Sequence, residues 1–173
     1  MANFNLGKVT DIKEYVNSLF DQSLTWSDVS WLKSVTDLPL VVKGIMRPDC
    51  AKAAVAHGAD AIIVSNHGGR LLDGVPATID VLPEIVEAVS SDKVDVYMDG
   101  GVRNGSDVLK ALALGAKMTF IGRPVVWGLA MSGQAGVAKT LSIMYEEFDN
   151  CLGLSGCTRV DEVAKQDLLY KRA

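Results

Sequence analysis

The chain has 173 residues, 49% of them hydrophobic, with 17 Lys and Arg against 21 Asp and Glu and a net charge of −4. That length supports one substantial hydrophobic core, and the composition excludes a disordered polymer. Scattered rather than clustered cations exclude a nucleic-acid surface, and no apolar run reaches the roughly 20 residues of a membrane span.

Residues 1–24 have few strand features and read as a loop with a short helix, and the N-terminal MANFNLGK lacks a signal-peptide core. From Pro39 onward one phrase repeats: a short apolar run, a polar or glycine break, then an amphipathic stretch closed by Gly. The first copy is LPLVVKG (Leu38 to Gly44) followed by RPDCAKAAVAHG, in which Pro48 suits a first helical position and Gly58 a C-terminal cap. The second is ADAIIVSNHGG (Ala59 to Gly69), a loop LLDGVPAT and a helix IDVLPEIVEAVSS. The third is VDVYMDGG (Val94 to Gly101) and NGSDVLKALALG, with Asn104 or Ser106 as N-cap and Gly115 closing. The fourth is AKMTFIGR (Ala116 to Arg123), then PVVWGLA and a long helix from about Gln134 to Asn150.

Successive strand-then-helix units imply parallel strands joined by right-handed crossovers, hence an α/β fold. Either a doubly wound open sheet or a (β/α)8 barrel satisfies the pattern, though no strand is followed by GxGxxG. In both, functional groups gather beyond the carboxyl ends of the strands. Those ends carry Lys43, Ser65, His67, Asp99, Gly100, Gly122 and Arg123.

DGGVR (Asp99 to Arg103) and IGR (Ile121 to Arg123) combine glycines, which admit backbone N–H groups close to an anion, with guanidinium forks. One such segment is explained by tight turns and solvated ion pairs. Two on consecutive strands favour a bound phosphate, as after strands 7 and 8 of barrels. Lys43 either pairs with Asp99, stabilises negative charge on a cofactor, or snorkels outward from its strand. His67 can take a proton near neutrality and Arg70, three residues on, can grip a carboxylate; the alternative is a loop histidine bonded to a backbone carbonyl. His57, at a helix C-terminus, is assigned no chemistry. Cys50, Cys151 and Cys157 form no CxxC pair and no zinc spacing, so they read as reduced intracellular thiols and no metal is expected.

SNHGGRLLDGVPATIDVLPEI, DGGVRNGSDVLKALALGAK and FIGRPVVWGLA resemble the FMN-dependent 2-hydroxyacid oxidase family, in its glycolate-oxidase-like members. TWSDVSWLKSVTDLPLVVKGI (Thr25 to Ile45) resembles the segment around that family's fifth barrel strand, and LSGC (Leu154 to Cys157) its C-terminal helix. The resemblance implies the C-terminal half, strands 5 to 8, of a (β/α)8 TIM barrel. Residues 1–24 would then be a remnant of an active-site lid, and 25–173 the half barrel with its C-terminal helices, forming a single partial FMN hydroxy-acid dehydrogenase domain. It implies FMN as cofactor, oxidation of a short 2-hydroxy acid such as glycolate to the 2-oxo acid, and oxygen as acceptor. His67 would be the base and Arg70 a carboxylate-gripping arginine, with Lys43 at the flavin N1 and O2 edge and Ser65 at its pyrimidine end. Asp99 would support the histidine and line the cofactor site with Gly100, while Gly101, Arg103, Gly122 and Arg123 hold the phosphate.

Leu71 stands where the family usually has Gln, and the family's N-terminal half, with its substrate-contacting tyrosines and second carboxylate-binding arginine, has no counterpart here. Four strands cut from a barrel leave two open edges and an uncovered apolar face. The expectation is therefore self-association or a complementing N-terminal half, with little turnover by the chain alone. A non-catalytic FMN- or phosphate-binding fragment is the alternative function. The resemblance implies a peroxisomal location; the terminal KRA is not the SKL address, which leaves the cytoplasm open.

Overall fold

A computed structural model of the chain describes residues 15, 18–92 and 94–164. The expected lid over residues 1–24 falls largely outside the described residues; within it, residues 18–24 are exposed. Among the described residues no helix is long and apolar enough to cross a membrane.

Helix α1 (Trp26–Val35) begins where the Asp28 carboxylate accepts the Thr25 N–H at 2.6 Å, and it buries no residue completely. Trp26 packs against the core, and a polar anchor adds to it: Lys33 Nζ lies 2.6 Å from Asp60 Oδ2, which also accepts the Leu40 N–H at 2.6 Å. One carboxylate thus ties α1 to the start of the sheet.

Four strands follow, β1 (Val41–Ile45), β2 (Ala61–Val64), β3 (Asp95–Met98) and β4 (Met118–Thr119), all parallel and adjacent in chain order. The α/β expectation with consecutive parallel strands holds. Pairing of Val42 with Ile62 and of Ile62 with Val96 puts those side chains on one face, joined by Ile45, Val64 and Met98. The register skips between Lys43 and Ile45 at Gly44, whose φ of +98° is open to glycine at no steric cost.

That face is covered by α2 (Pro48–Ala56), α3 (Thr78–Ala88) and α4 (Gly105–Ala113), which contribute Ala51, Ala54, Leu82, Ile85 and Ala111 to a core they share with the strands. Alternation along the strands sends Lys43, Ile63, Tyr97 and Met118 to the other side. There Met118 is 44% and Phe120 39% exposed. One side of the sheet is therefore sealed while the other is covered only in part, with Ala61 buried but Val41, Met118 and Phe120 exposed, whereas all-parallel sheets are normally covered on both.

Helix α5 (Arg123–Leu154) starts earlier than its sequence pattern indicates, because Pro124 suits the first turn and makes PVVWGLA helical. Ser132 and Gly133 (φ +57°, ψ −137°) break it into two arms that fold together so tightly that a Cβ on Gly136 would lie 1.8 Å from the Gly128 carbonyl oxygen. The second arm packs on α4: Glu147 Oε2 accepts the Gly105 N–H at 2.9 Å, and Leu112, Leu152, Cys157 and Val163 form a second small core with the final turn α6 (Val160–Val163).

Two measurements test this packing. A Cβ at Gly105 would stand 2.0 Å from the Phe148 backbone nitrogen, which cannot rotate away. Gly105→Ala is expected to cost about 2 kcal/mol or more in urea unfolding. Hydrogen bonds from Lys33 and then from the Leu40 N–H hold the Asp60 carboxyl below its ordinary 3.8. A depressed folded-state value contributes stability that is present above the unfolded value and lost as pH falls through the folded one. Asp60→Asn should lower the urea midpoint at neutral pH and flatten its decline below about pH 4.

Candidate functional site

The carboxyl ends of the four strands meet at one rim and enclose a cavity of about 520 Å³. Lys43, His67, Arg70, Asp99, Gly100, Gly101, Arg103, Gly122 and Arg123 all line it. Ser65 is buried beneath the rim, where its hydroxyl accepts from Lys43 Nζ at 2.8 Å and from the His67 N–H at 3.1 Å. Lys43 Nζ also stands 3.3 Å from Asp99 Oδ2. The lysine therefore points inward and joins β1 to β2 and β3, which selects the Asp99 pairing over outward snorkelling.

The segment after β2 is a tight turn held on every side. Asn66 Oδ1 accepts the Gly69 N–H at 3.1 Å, and Arg70 Nε donates to the His67 carbonyl at 3.1 Å. Arg123 reaches across from the start of α5 to donate to the Gly68 carbonyl. His67 has φ +56°, a left-handed conformation uncommon for a side chain with a Cβ, and both its N–H and its C=O are engaged. Its imidazole is exposed and, among the described residues, without a hydrogen-bond partner. Backbone fixed and ring free is a suitable state for a group that must meet a ligand. His67 and Asp99 share the cavity, and no hydrogen bond joins them.

The opposite end of the cavity is built from glycine and arginine. Gly100 (φ +88°) is wedged, since a Cβ there would stand 3.1 Å from Asn66 Oδ1 and 3.2 Å from Thr78 Oγ1. A Cβ on Gly101 or Gly122 would meet nothing within 4 Å, so a ligand can approach their backbone closely. Gly122 is the N-cap of α5, where unpaired N–H groups and the helix dipole favour an anion. Arg103 donates from Nη1 to the Val102 carbonyl at 2.9 Å and lies 5.3 Å over the Trp127 ring. Asp99 Oδ1 is buried and, among the described residues, has no hydrogen-bond partner, so it is an acceptor open to a donor group.

This donor set fits a phosphorylated ligand with polar ring edges: two guanidinium groups and glycine backbone at one end, and Lys43 and an unsatisfied carboxylate oxygen further along. A second cavity of about 400 Å³ lies on the other side of His67, lined by Lys43, Met46, Leu71, Leu72 and Val75 among others. Sequence reasoning passed over Asn66 and Thr78. Asn before His-Gly-Gly is a turn signal that could have identified the first; the Thr78 hydroxyl, which donates to the Gly100 carbonyl at 3.2 Å, had no local signal.

Comparisons with known proteins agree on one family. A family model described as FMN-dependent dehydrogenase matches residues 3–170. The chain is 60% identical over 161 residues to 2-hydroxyacid oxidase 1 of Mus musculus, covering 93% of this chain and 43% of that protein. It is 49% identical over 169 residues to glycolate oxidase of Spinacia oleracea, with 95% and 46% covered. Against a solved structure of mandelate oxidase with benzoyl-formic acid the TM-score is 0.79 at 48% identity, over 82% of this chain and 42% of that one. The chain thus spans less than half the length of these relatives.

The turn's dependence on Arg123 can be isolated. Gly68 and Gly69 have similar φ, +68° and +72°, but only a Cβ on Gly68 would meet Arg123, at 2.8 Å from a guanidinium nitrogen. Both alanine variants should show the left-handed penalty of about 1 kcal/mol, with Gly68→Ala losing about 1 kcal/mol more. That excess should vanish in an Arg123→Ala background, as a double-mutant cycle of urea unfolding will read.

Proposed function

Because this chain belongs to the FMN-dependent dehydrogenase family, we propose that it carries the flavin phosphate site, the base and one substrate arginine of a 2-hydroxy-acid oxidase. On this reading it is the half of the barrel bearing strands 5 to 8. The observation that carries the reading is the single cavity in which His67 and Arg70 face two glycine-arginine segments.

The family's cofactor is FMN, and the residues present fit it. Gly101, Arg103, Gly122 and Arg123 would hold its phosphate, Gly100 and Asp99 the adjoining polar atoms, Ser65 the pyrimidine end, and Lys43 the N1 and O2 edge. Bound there, FMN supplies a two-electron acceptor that oxygen can reoxidise with release of hydrogen peroxide. Arg70 holds the substrate carboxylate with its two terminal nitrogens, since Nε is committed to the His67 carbonyl. A nitrogen of the His67 imidazole takes a proton from the 2-hydroxy acid as this becomes the 2-oxo acid. Asp99, which Lys43 Nζ holds at 3.3 Å, supports that step by placing negative charge near the imidazolium. Short 2-hydroxy acids such as glycolate are the proposed substrates, and a peroxisomal location belongs to the same reading.

The open sheet face favours a second reading, a fragment that binds FMN without turnover until a second copy or a complementing N-terminal half covers it. Loose placement supports this for the isolated chain, because a displacement of about 1 Å can cost about 100-fold in rate. Titration of FMN by flavin fluorescence, followed by glycolate with and without oxygen, separates the two: bleaching marks the oxidase, binding without bleaching the fragment. Little or no turnover is expected, and His67→Ala should abolish what remains while sparing FMN binding; persistent turnover would remove His67 from the role of base. Size-exclusion chromatography should show self-association, and a soluble monomer with a cooperative melt would contradict the uncovered half barrel.

A further inference from the structure

Arg103 borders two cavities. One is the rim cavity with its glycine segments; the other is a groove of about 530 Å³ lined by Arg103, Pro124, Trp127, Met131 and Lys139 among others. The guanidinium is exposed and its one hydrogen bond within the described chain runs to the neighbouring Val102 carbonyl, a tether too local to choose between the two directions. What restrains it further is the Trp127 ring, 5.3 Å beneath the guanidinium carbon. Trp127 follows Arg123 by four residues on the first arm of α5, so both project from the same side of the helix whose start borders the glycines. Lys139 in the groove adds like charge on the side away from the rim.

We propose that Trp127 is a positioning residue that holds Arg103 by a cation–π contact with its donors turned to the phosphate end of the rim cavity. This rests on the phosphate site proposed above. A guanidinium stacked on an aromatic face keeps all its N–H groups in the plane available for hydrogen bonding, which an ion pair to a carboxylate would consume. The helix start and the ring that orients the second arginine thus belong to one element, and docking of α5 sets both.

FMN and riboflavin separate this role from simple packing, because they differ only by the phosphate. Affinities of the full chain for each flavin, read by fluorescence, should show Trp127→Leu weakening FMN about three-fold with riboflavin unchanged, and Trp127→Phe retaining FMN within about two-fold. In an Arg103→Leu background, Trp127→Leu should have no further effect on FMN. Equal loss for both flavins, equal damage by Phe and Leu, or no loss in either variant would overturn the positioning role while leaving the phosphate site standing. A wild-type chain that binds FMN no better than riboflavin would overturn the phosphate site itself, and the role of Trp127 with it.

Discussion

Parallel pairing of four strands in chain order is the constraint from which the site follows. Because each crossover returns the chain to start the next strand at the same end, the four carboxyl ends share one rim. Segments far apart in sequence therefore converge: Lys43 from β1, Ser65 from beyond β2 and Asp99 from beyond β3 form one bonded link. The link is short and partly screened from water, so it contributes more to placing its members than an exposed ion pair could. It also leaves an oxygen of Asp99 without a donor among the described residues, the feature that the proposed ligand site draws on.

The turn at residues 65–70 shows how a flexible sequence becomes a fixed platform. His-Gly-Gly has more backbone freedom than almost any tripeptide, yet Ser65, Asn66, Arg70 and Arg123 each take one of its backbone groups. Bonds to the backbone restrict the chain while the imidazole stays available, which lowers the entropy lost when a ligand arrives. Arg123 is the member from outside the loop, so the position of the histidine depends on the docking of α5 more than fifty residues away.

The same one-sided burial that builds the rim leaves the opposite sheet face open. Ile62, Val64, Val96 and Met98 are sealed by helices, while Met118, Phe120 and Val41 on or near the other face stay exposed. In a closed barrel that face is interior and both sheet edges are paired. Relatives more than twice as long supply the simplest reason why these strands are apolar on both sides. Burial of such a face would remove apolar area from water at about 25 cal/mol per Å², which is the physical basis of the association proposed above.

Much of this was legible in the chain itself. Short β-branched runs, Pro48 at a helix start, an N-cap at Asn104 or Ser106, of which the structure uses Asn104, and glycines at helix ends located the strand and helix units, because periodicity and capping are local properties of neighbouring residues. The motifs SNHGGR, DGGVR and IGR likewise pointed to strand ends that the structure brings to one cavity. The first arm of α5 was less visible, since its Gly128 is a helix breaker unless another backbone must approach, as Gly136 does here. What the tertiary structure alone decided is which of these polar groups touch: that Lys43 turns inward to Asp99, that Thr78 closes on Gly100, and that Trp127 underlies Arg103. Those contacts depend on strand register and helix docking between distant segments, and no short-range pattern of residues encodes such distances.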